Sequence, residues 1–137
     1  MTRSLRITDG DLTVTPSGVS LVSKTEKLKQ DLSLWLREVF GVDRFHPYYG
    51  STLDSYVGQA MRPQEIAFLK SEVVRVLQNY QKVQQLGMRE NPLLYSPEEV
   101  LAEVISVNPH SNYDSLKVDI VFRNGAGQIN TVKAGAK

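Results

Sequence analysis

Apolar and polar residues alternate at both ends of the chain, whereas the middle carries apolar residues at helical spacing. Near the start, the alternation continues on both sides of Asp9-Gly10, a dipeptide that tolerates the positive φ of a tight hairpin turn. A two-residue turn there puts four apolar residues on one face, in the pairs Ile7–Leu12 and Leu5–Val14. The segment therefore predicts an N-terminal β-hairpin.

Three helices are predicted in the middle of the chain. The first runs from Lys24 to about Phe40 and is ended by Gly41. The second is a short helix near residues 53–60. The third and longest begins at Pro63 and ends near Leu86, with Gly87 just beyond it. The predicted buried faces consist of Leu28, Leu32, Trp35, Leu36 and Val39 in the first helix, and of Ile66, Leu69, Val73, Val76, Leu77, Tyr80 and Val83 in the third.

The segment after the long helix begins with a helix-start signal. Ser96 and Glu99 have the spacing of a capping box, with Pro97 at the first helical position, which predicts one or two helical turns. A strand is then predicted over about residues 102–107. The following residues, 108–112, are rich in Asn, Pro and Ser and predict a loop.

The chain ends in a predicted pair of strands. Alternation over residues 116–122 indicates a half-buried strand, and a glycine-rich turn leads to a return strand over residues 128–133. In this hairpin Phe122 is expected to face Ile129, and the small residues of the tail, 134–137, are expected to be loose. The whole chain, residues 1–137, is thus predicted to be a single α+β domain with an N-terminal β-hairpin, three helices and a C-terminal antiparallel β-meander.

Composition limits the class of protein. A length of 137 residues, with 41% hydrophobic and 23% charged residues, is typical of one globular domain. The 16 Lys and Arg residues nearly balance the 15 Asp and Glu residues, so the chain has no strong positive electrostatic field that would attract nucleic acid. Cysteine is absent, and no apolar run approaches the ~18 residues of a membrane span. Because the N-terminus is polar, we expect synthesis in the cytoplasm, with neither nucleic acid nor membrane as a partner.

The sequence offers little chemistry. His46 and His110 lie in different predicted loops, and no zinc-protease, dinucleotide, phosphate-loop or nucleophile-elbow motif is present. Glu38 and Asp43 flank the end of the first helix and could form a glycosidase-like pair, although a chain with 15 acids offers many such pairs. We therefore predict no catalytic residue, no metal, no cofactor and no small-molecule ligand.

One side of the third helix suggests a protein partner instead. Arg75 and Lys82 repeat at seven-residue spacing opposite the apolar stripe, and Phe68 and Leu86 also project outwards. Apolar residues among exposed charges are typical of an interface. Phe68, Arg75, Lys82 and Leu86 are accordingly predicted to bind a partner.

Residues 34–58, LWLREVFGVDRFHPYYGSTLDSYVG, carry the most distinctive pattern. A helix breaks at Gly41, an aromatic loop closes on Tyr49-Gly50, and Leu53 begins the next helix. In this order the features resemble the baseplate wedge protein family of contractile phage tails, which is related to a type VI secretion baseplate subunit. The hairpin, the long helix and the final meander extend the resemblance. Family members often carry Glu-Pro-Arg before the C-terminal strands, where this chain has Ser96-Pro97-Glu98-Glu99 and only the proline matches.

The resemblance implies assembly rather than catalysis. Family members sit beside larger wedge subunits and present strands to the first ring of the tail sheath, so the expected partners are other baseplate wedge subunits and the tail sheath protein. The expected location is the virion tail baseplate, after assembly in the host cytoplasm. An open sheet edge suits strand addition, which points to Ile129, Thr131, Val132 and Lys133. Two alternatives from the same fold family are a small cytoplasmic regulatory protein and a lysozyme-like hydrolase.

Overall fold

The computed structural model describes residues 1–8, 10–112 and 114–136. These residues form an α+β fold with two α-helices, two short 3-10 helices and nine β-strands. The prediction of three α-helices is therefore wrong. The second of them is a 3-10 helix over Leu53–Tyr56. It ends because Val57 adopts an extended ψ of 129°, and Gly58, with a left-handed φ of +79°, then turns the chain away.

The elements follow one another in the order strands, helices, strands. Six short strands come first: β1 (Arg3–Leu5), β2 (Ile7–Thr8), β3 (Asp11–Leu12), β4 (Val14–Thr15), β5 (Gly18–Val19) and β6 (Leu21–Ser23). The helices are α1 (Lys24–Arg37) and α2 (Pro63–Glu90), and a 3-10 turn over Pro97–Glu99 precedes the last three strands. Those strands are β7 (Leu101–Ser111), β8 (Leu116–Asn124) and β9 (Ile129–Ala136).

The N-terminal region is a three-way arrangement of strand pairs, so the prediction of a simple hairpin is wrong. β1 pairs with β6, β2 with β3, and β4 with β5, all antiparallel. The predicted pair Ile7–Leu12 is confirmed. Leu5 and Val14, however, face Leu21 and Val19 instead of each other, because a second tight turn at residues 16–17 folds β4 back on β5. The predicted turn at Asp9-Gly10 includes Asp9, which lies outside the described residues.

A ring of backbone hydrogen bonds joins the three strand pairs. Arg6 N–H donates to Ser20 O at 2.8 Å, Ser20 N–H to Thr13 O at 3.0 Å, and Thr13 N–H to Arg6 O at 3.0 Å. The three residues are spaced seven apart, and we call this ring the three-way junction. It satisfies the backbone groups at the point where the strand pairs diverge.

The residues on either side of the three-way junction share one face. Strand alternation puts the neighbours of the three junction residues on the opposite face from the junction side chains. That face is aliphatic and largely exposed, and it consists of Leu5, Ile7, Leu12, Val14, Val19 and Leu21. On α1, Gln30 fastens the region through its amide, which accepts from Ile7 N–H at 3.0 Å and donates to Leu5 O at 2.8 Å.

Helix α1 buries the predicted face over most of its length. Leu28, Leu32 and Leu36 are buried, and Trp35 packs against the same core, which confirms that part of the prediction. The helix ends at Arg37, three residues before the predicted end, and the chain turns away before Gly41. Val39 therefore lies outside the helix and is exposed.

Helix α2 extends beyond its predicted end. The sequence places Gly87 after the helix, but α2 continues to Glu90, and Asn91 N–H caps it by donating to Gly87 O at 2.9 Å. A side chain at position 87 would overlap the Tyr95 hydroxyl and ring. Gly87 is therefore a close-contact residue inside the helix, and its role is to let the segment after α2 pack on the helix.

The three-stranded sheet β7-β8-β9 forms the other layer. Every residue on the inner face of β8 is fully or almost fully buried, in agreement with the predicted alternation: Leu116, Val118, Ile120, Phe122 and Asn124. Helix α1 lies against β9 and helix α2 lies against β7. The core is the space between the two helices and the inner face of the sheet.

Strand β7 is longer than predicted. Residues 108–111 were expected to form a loop, yet they continue the strand, and Pro109 pairs with Val118. Proline is tolerated here because β7 is an edge strand, where a missing N–H need not break the ladder.

The turn between β8 and β9 sets a register that differs by one residue from the prediction. Asn124 N–H donates to Gln128 O at 3.0 Å, and Asn124 Oδ1 accepts from Ala126 N–H and Gln128 N–H at 3.2 and 2.9 Å. The loop therefore contains three residues, 125–127, of which Gly127 has a φ of +82°. Phe122 consequently faces Asn130 instead of Ile129, and Ile129 moves to the outer face of the sheet.

The C-terminal tail is part of the sheet, so the prediction of a loose tail is wrong for its described residues. Strand β9 continues to Ala136, and the Ala134 side chain is buried on the inner face. Lys137 lies outside the described residues. Because Val132 also packs against the core, deletion of residues 128–137 would remove core contacts as well as an edge.

A buried carboxylate connects the N-terminus to the segment before β7. Glu99 is 1% exposed and accepts from Thr2 N–H at 3.1 Å, from Thr2 Oγ1 at 2.9 Å and from Ser96 N–H at 3.0 Å. The bond from Ser96 is part of the predicted capping box, but the helical turn is a single 3-10 turn. Glu99 therefore stabilises a contact between residues 97 positions apart in sequence.

We predict that Gly87→Ala lowers the free energy of unfolding by about 1–3 kcal/mol, as overpacking does. In an open helix the same change stabilises by about 1 kcal/mol, so the sign of the effect reports the contact with Tyr95. Chemical denaturation measures the change. In the Tyr95→Phe background part of the loss should be recovered, and the control Gln85→Ala, on the exposed side of α2, should change stability by less than about 0.5 kcal/mol. A stabilising Gly87→Ala would contradict the packing described here.

Candidate interaction surfaces

Both histidines are engaged by neighbouring carboxylates. His46 Nδ1 lies 3.1 Å from Asp43 Oδ2, and its ring stacks on Tyr49 with a centroid distance of 4.4 Å. His110 Nε2 lies 2.9 Å from Asp119 Oδ2. Among the described residues no group of three His, Cys, Asp or Glu side chains is placed to hold a metal ion. The helices α1 and α2 are not apolar over enough of their length to cross a membrane.

The segment that follows α1 is a well-bonded loop, residues 38–52, which we call the aromatic loop. Its ends are joined by a parallel bridge between Val39 and Ser51. Phe40 N–H donates to Ser51 O at 3.1 Å, Ser51 N–H donates to Glu38 O at 2.7 Å, and the buried Ser51 hydroxyl donates to Leu36 O at 2.6 Å. The loop is therefore built onto the end of α1.

Gly50 makes this closure possible. It is buried, has a φ of +91°, and its Cα approaches the backbone of Val39 and Phe40 so closely that a Cβ would overlap them. Only glycine satisfies both the left-handed conformation and the close approach. The Tyr49-Gly50 pair singled out in the sequence thus closes the aromatic loop.

Arg75 of α2 clamps the aromatic loop from the other side. Its guanidinium donates to Tyr48 O at 2.9 Å and to Gly50 O at 2.8 Å, and it lies 5.2 Å from the centroid of the Phe40 ring. The same group binds Glu72 with N–O distances of 2.6 and 3.0 Å. Arg75, which was predicted to bind a partner, is thus occupied within the chain.

Glu72 completes this contact, and we call Arg75 and Glu72 together the clamp. Its carboxylate accepts from Thr52 N–H at 3.0 Å as well as from Arg75. The hydrogen bonds from Arg75, opposed by partial burial and assisted by the Thr52 N–H, lower the pKa of Glu72 below its ordinary value. The hydrogen bond to Glu72 likewise raises the pKa of Arg75. Both groups are thus held in their charged forms at neutral pH.

The aromatic loop, held in place by the clamp, exposes aromatic side chains to solvent. Tyr49 turns inwards and lies 5.0 Å from Trp35, between ring centroids, but Tyr48 is 75% exposed and Phe45 is 90% exposed. Of the two neighbouring tyrosines, Tyr49 therefore packs inwards and Tyr48 does not. Exposed aromatic residues on a well-bonded loop are the type of side chain that anchors protein interfaces.

The other residues predicted on the outer side of α2 are solvent-facing. Phe68 is 64% exposed, Leu86 is 58% exposed, and Lys82 is exposed as well. Arg75 lies between them in the sequence of α2, and there the aromatic loop crosses the helix. The predicted face is therefore split into two parts.

The C-terminal candidates occupy an edge strand. Ile129, Thr131 and Lys133 are exposed on the outer face of the sheet, whereas Val132 faces inwards and packs against the core. In the described residues β9 pairs with β8 alone. The structure thus brings three of the four predicted residues together at an open edge.

A groove of about 340 Å³ runs between α1 and this edge. We call it the α1–β9 groove. It is lined by Lys29, Gln30, Ser33, Leu34 and Arg37 of α1, by Val132 and Lys133 of β9, and by Ile7 and Gly10 at the end of the β2–β3 pair.

Neither the clamp nor the α1–β9 groove was predicted from the sequence. Glu72 and Arg75 have the i, i+3 spacing of a helical ion pair, which was a signal for the clamp. Lys29, Ser33 and Arg37 have i, i+4 spacing beside the buried face of α1, which was a signal for a polar wall. Neither signal predicts which loop or strand the helix contacts, because the aromatic loop and β9 lie far from these helical residues in sequence.

We predict that Arg75→Ala destabilises the protein by about 1–3 kcal/mol, since it leaves the Tyr48 and Gly50 carbonyls and the Glu72 carboxylate without their donor. Lys82→Ala, an exposed cation on the same helix, should change stability by less than about 0.5 kcal/mol. Emission of Trp35 reports the loop directly, because this single tryptophan contacts Tyr49. Equal stability and emission in the two variants would show that the clamp contributes nothing.

We also predict that the clamp weakens in acid. The folded state lowers the pKa of Glu72, so its contribution is present above the ordinary glutamate pKa of about 4.3 and is lost as pH falls through the lower folded value. Stability of the native protein minus that of Glu72→Gln, measured by denaturation between about pH 7 and pH 3, should therefore shrink only below about pH 5. A difference that is constant over this range would contradict the assignment.

Comparison of the sequence with protein-family models and with curated proteins found no match. The structure is similar to the crystal structure of a Geobacter sulfurreducens protein that is provisionally assigned as a tail lysozyme. The two chains are 15% identical, the similarity covers 84% of this chain and 92% of the other, and the TM-score is 0.53. The similarity establishes a shared fold.

Proposed function

We propose that the chain is a non-enzymatic structural subunit of a contractile phage tail. In this proposal it sits in the baseplate wedge with other wedge subunits, and its C-terminal strand receives a strand from the tail sheath protein. The observation that carries the proposal is the open edge of β9 in a fold shared with a protein provisionally assigned as a tail lysozyme.

The backbone of β9 supports strand addition. The bond from Asn124 N–H to Gln128 O makes residues 124 and 128 a hydrogen-bonded pair, and pair types alternate along an antiparallel ladder. Ile129, Thr131 and Lys133 therefore belong to pairs that do not bond to β8. Their N–H and C=O groups point towards the open side, where an arriving strand can bond to them.

The aromatic loop supplies a second surface, which we assign to the wedge subunits. Phe45 and Tyr48 project from it into solvent, and Phe68 lies exposed on the helix that the loop crosses. Arg75 acts indirectly in this proposal, because it positions the loop instead of contacting the partner. Lys82 and Leu86 form a separate exposed part of the same helix and are proposed to contact the wedge as well.

A lysozyme-like hydrolase is the competing function, and the description of the structural neighbour favours it. Such an enzyme needs a carboxylic acid whose pKa is raised, opposite a second carboxylate. Asp43, the candidate acid near Glu38, instead has its pKa lowered by the hydrogen bond from His46, with further lowering by the Phe45 N–H. This environment favours an ionised carboxylate and argues against Asp43 as the general acid.

The proposal places the working protein in the virion, at the tail baseplate, after synthesis in the host cytoplasm. The balance of 16 basic and 15 acidic residues supports protein partners over nucleic acid. No cofactor is required for this role.

Co-expression with baseplate wedge and tail sheath proteins from the same genome tests the proposal. The complex should co-purify, and electron microscopy should show sheath polymers starting from it. Hydrolysis of purified peptidoglycan by the isolated protein, lost in Glu38→Gln or Asp43→Asn, would establish the hydrolase instead.

We predict that Thr131→Pro abolishes the start of sheath polymerisation and leaves the protein folded. Proline removes an N–H that points away from β8, and proline is accepted on the open side of an edge strand. The matched control Thr131→Val keeps the N–H and should polymerise sheath normally. Asn130→Pro, which removes an N–H directed at β8, should instead destabilise the fold. Normal sheath assembly by a folded Thr131→Pro protein would contradict the assigned edge.

A further inference from the structure

The α1–β9 groove is basic among the residues that line it. Lys29 and Arg37 stand on the helix wall, and no Asp or Glu contributes to the lining. Neither of these two cations belongs to an ion pair formed among the described residues. Lys133 lines the strand wall, but strand alternation puts its side chain on the outer face of the sheet, cross-strand from Asp119.

We propose that the α1–β9 groove binds an extended acidic segment of a partner protein. The backbone of this segment would pair with β9 as an added strand, and its carboxylates would meet Lys29 and Arg37. The inference rests on the proposed function, in which β9 receives a strand, and adds the chemistry by which that strand is recognised.

The dimensions of the groove define the spacing of the acidic residues. Its helix wall extends from Lys29 to Arg37, which are eight residues apart and therefore separated by about 12 Å along the helix. In a strand, residues i and i+4 lie about 13 Å apart and point to the same face. Two acidic residues at i and i+4 can therefore reach both ends of the wall.

The middle of the groove is less polar than its ends. Leu34 on the helix and Val132 on the strand lie between the terminal cations, and Ile7 adds an aliphatic side chain from the β2–β3 pair. Residue i+2 of an added strand would face this part. The recognised pattern is therefore acidic, any, apolar, any, acidic, and strand alternation leaves the intervening residues on the outer face.

Backbone pairing and charge contribute separately to binding of the acidic segment. Hydrogen bonds along β9 give affinity without sequence preference, whereas the cations select the segment and speed its encounter. Binding should therefore weaken as ionic strength rises from about 0.15 M to about 1 M, because exposed charges are screened over that range.

A capped seven-residue peptide tests the inference. It carries glutamate at its second and sixth positions, valine at the fourth and threonine elsewhere. Titration into the full chain, followed by amide NMR, should shift the signals of Thr131 and Lys133 and those of Lys29 to Arg37. A peptide with lysine in place of both glutamates should bind at least tenfold more weakly, and one with N-methylated backbone should not bind.

Charge variants of the groove complete the test. Lys29→Glu and Arg37→Glu together should weaken binding of the glutamate peptide by about four- to 25-fold, at two- to fivefold for each exposed pair. The two Gln substitutions provide a second variant if the reversed protein does not fold. Lys70→Glu, an exposed cation of α2 outside the groove lining, should change affinity by less than about twofold.

Two results would overturn the inference. The lysine peptide would bind as well as the glutamate peptide, or the double variant of Lys29 and Arg37 would start sheath polymerisation normally while Thr131→Pro does not. The second result would leave the proposed function standing. Conversely, selective binding of the glutamate peptide without any sheath assembly would support the inference about the groove and refute the sheath role.

Discussion

The need to cover the inner face of β8 governs this structure. Leu116, Val118, Ile120 and Phe122 are all fully buried, and a single apolar strand cannot shield itself from water. Two neighbouring strands and two helices provide the cover, with α1 against β9 and α2 against β7. Each helix in turn buries an aliphatic stripe that would be costly to expose. The other regions of the chain are positioned by this two-layer core.

Polar groups inside this core connect the layers. Gln84 of α2 donates to Tyr80 Oη at 3.0 Å and to Glu99 O at 2.8 Å, and it accepts from Leu101 N–H at 2.9 Å. The Tyr80 hydroxyl donates to Asp31 of α1 at 2.8 Å, and burial raises the pKa of this phenol, which keeps it protonated. A buried network that is satisfied in this way favours one relative placement of its elements. Together with Glu99, it holds α1, α2 and the start of β7 in a single arrangement.

The same core explains where the candidate surfaces lie. Because the helices cover only the inner face, the outer face of the sheet and the edge of β9 are left to solvent or to partners. The outer face carries the ion pairs Arg123–Glu103 and His110–Asp119, so these charged side chains are paired within the sheet. The backbone groups at the edge are not, because among the described residues no strand pairs with the outward groups of β9. The aromatic loop is a different kind of surface, in which backbone bonds and the Arg75 clamp hold apolar side chains away from the core.

The fold and the site could be predicted from sequence to different extents. The α+β class, the two long helices and the alternation of β8 follow from local periodicity, since each residue's neighbours along the chain decide which face is apolar. The edge residues Ile129, Thr131 and Lys133 were also identified, because a terminal strand after a tight turn has one free side. The sequence did not show that the Val132 side chain points inwards, unlike those three, since its orientation depends on the β8–β9 register.

What the sequence by itself determined about this protein is therefore the type and approximate extent of its main elements. Only the tertiary structure decided that Leu5 pairs with Leu21, that Gly87 lies within α2 beneath Tyr95, and that Arg75 is bound within the chain. These features depend on backbone carbonyls, ring surfaces and turns contributed by segments remote in sequence. Periodicity reports which side of an element is buried, but the groups that satisfy its donors are known only when distant elements have come together.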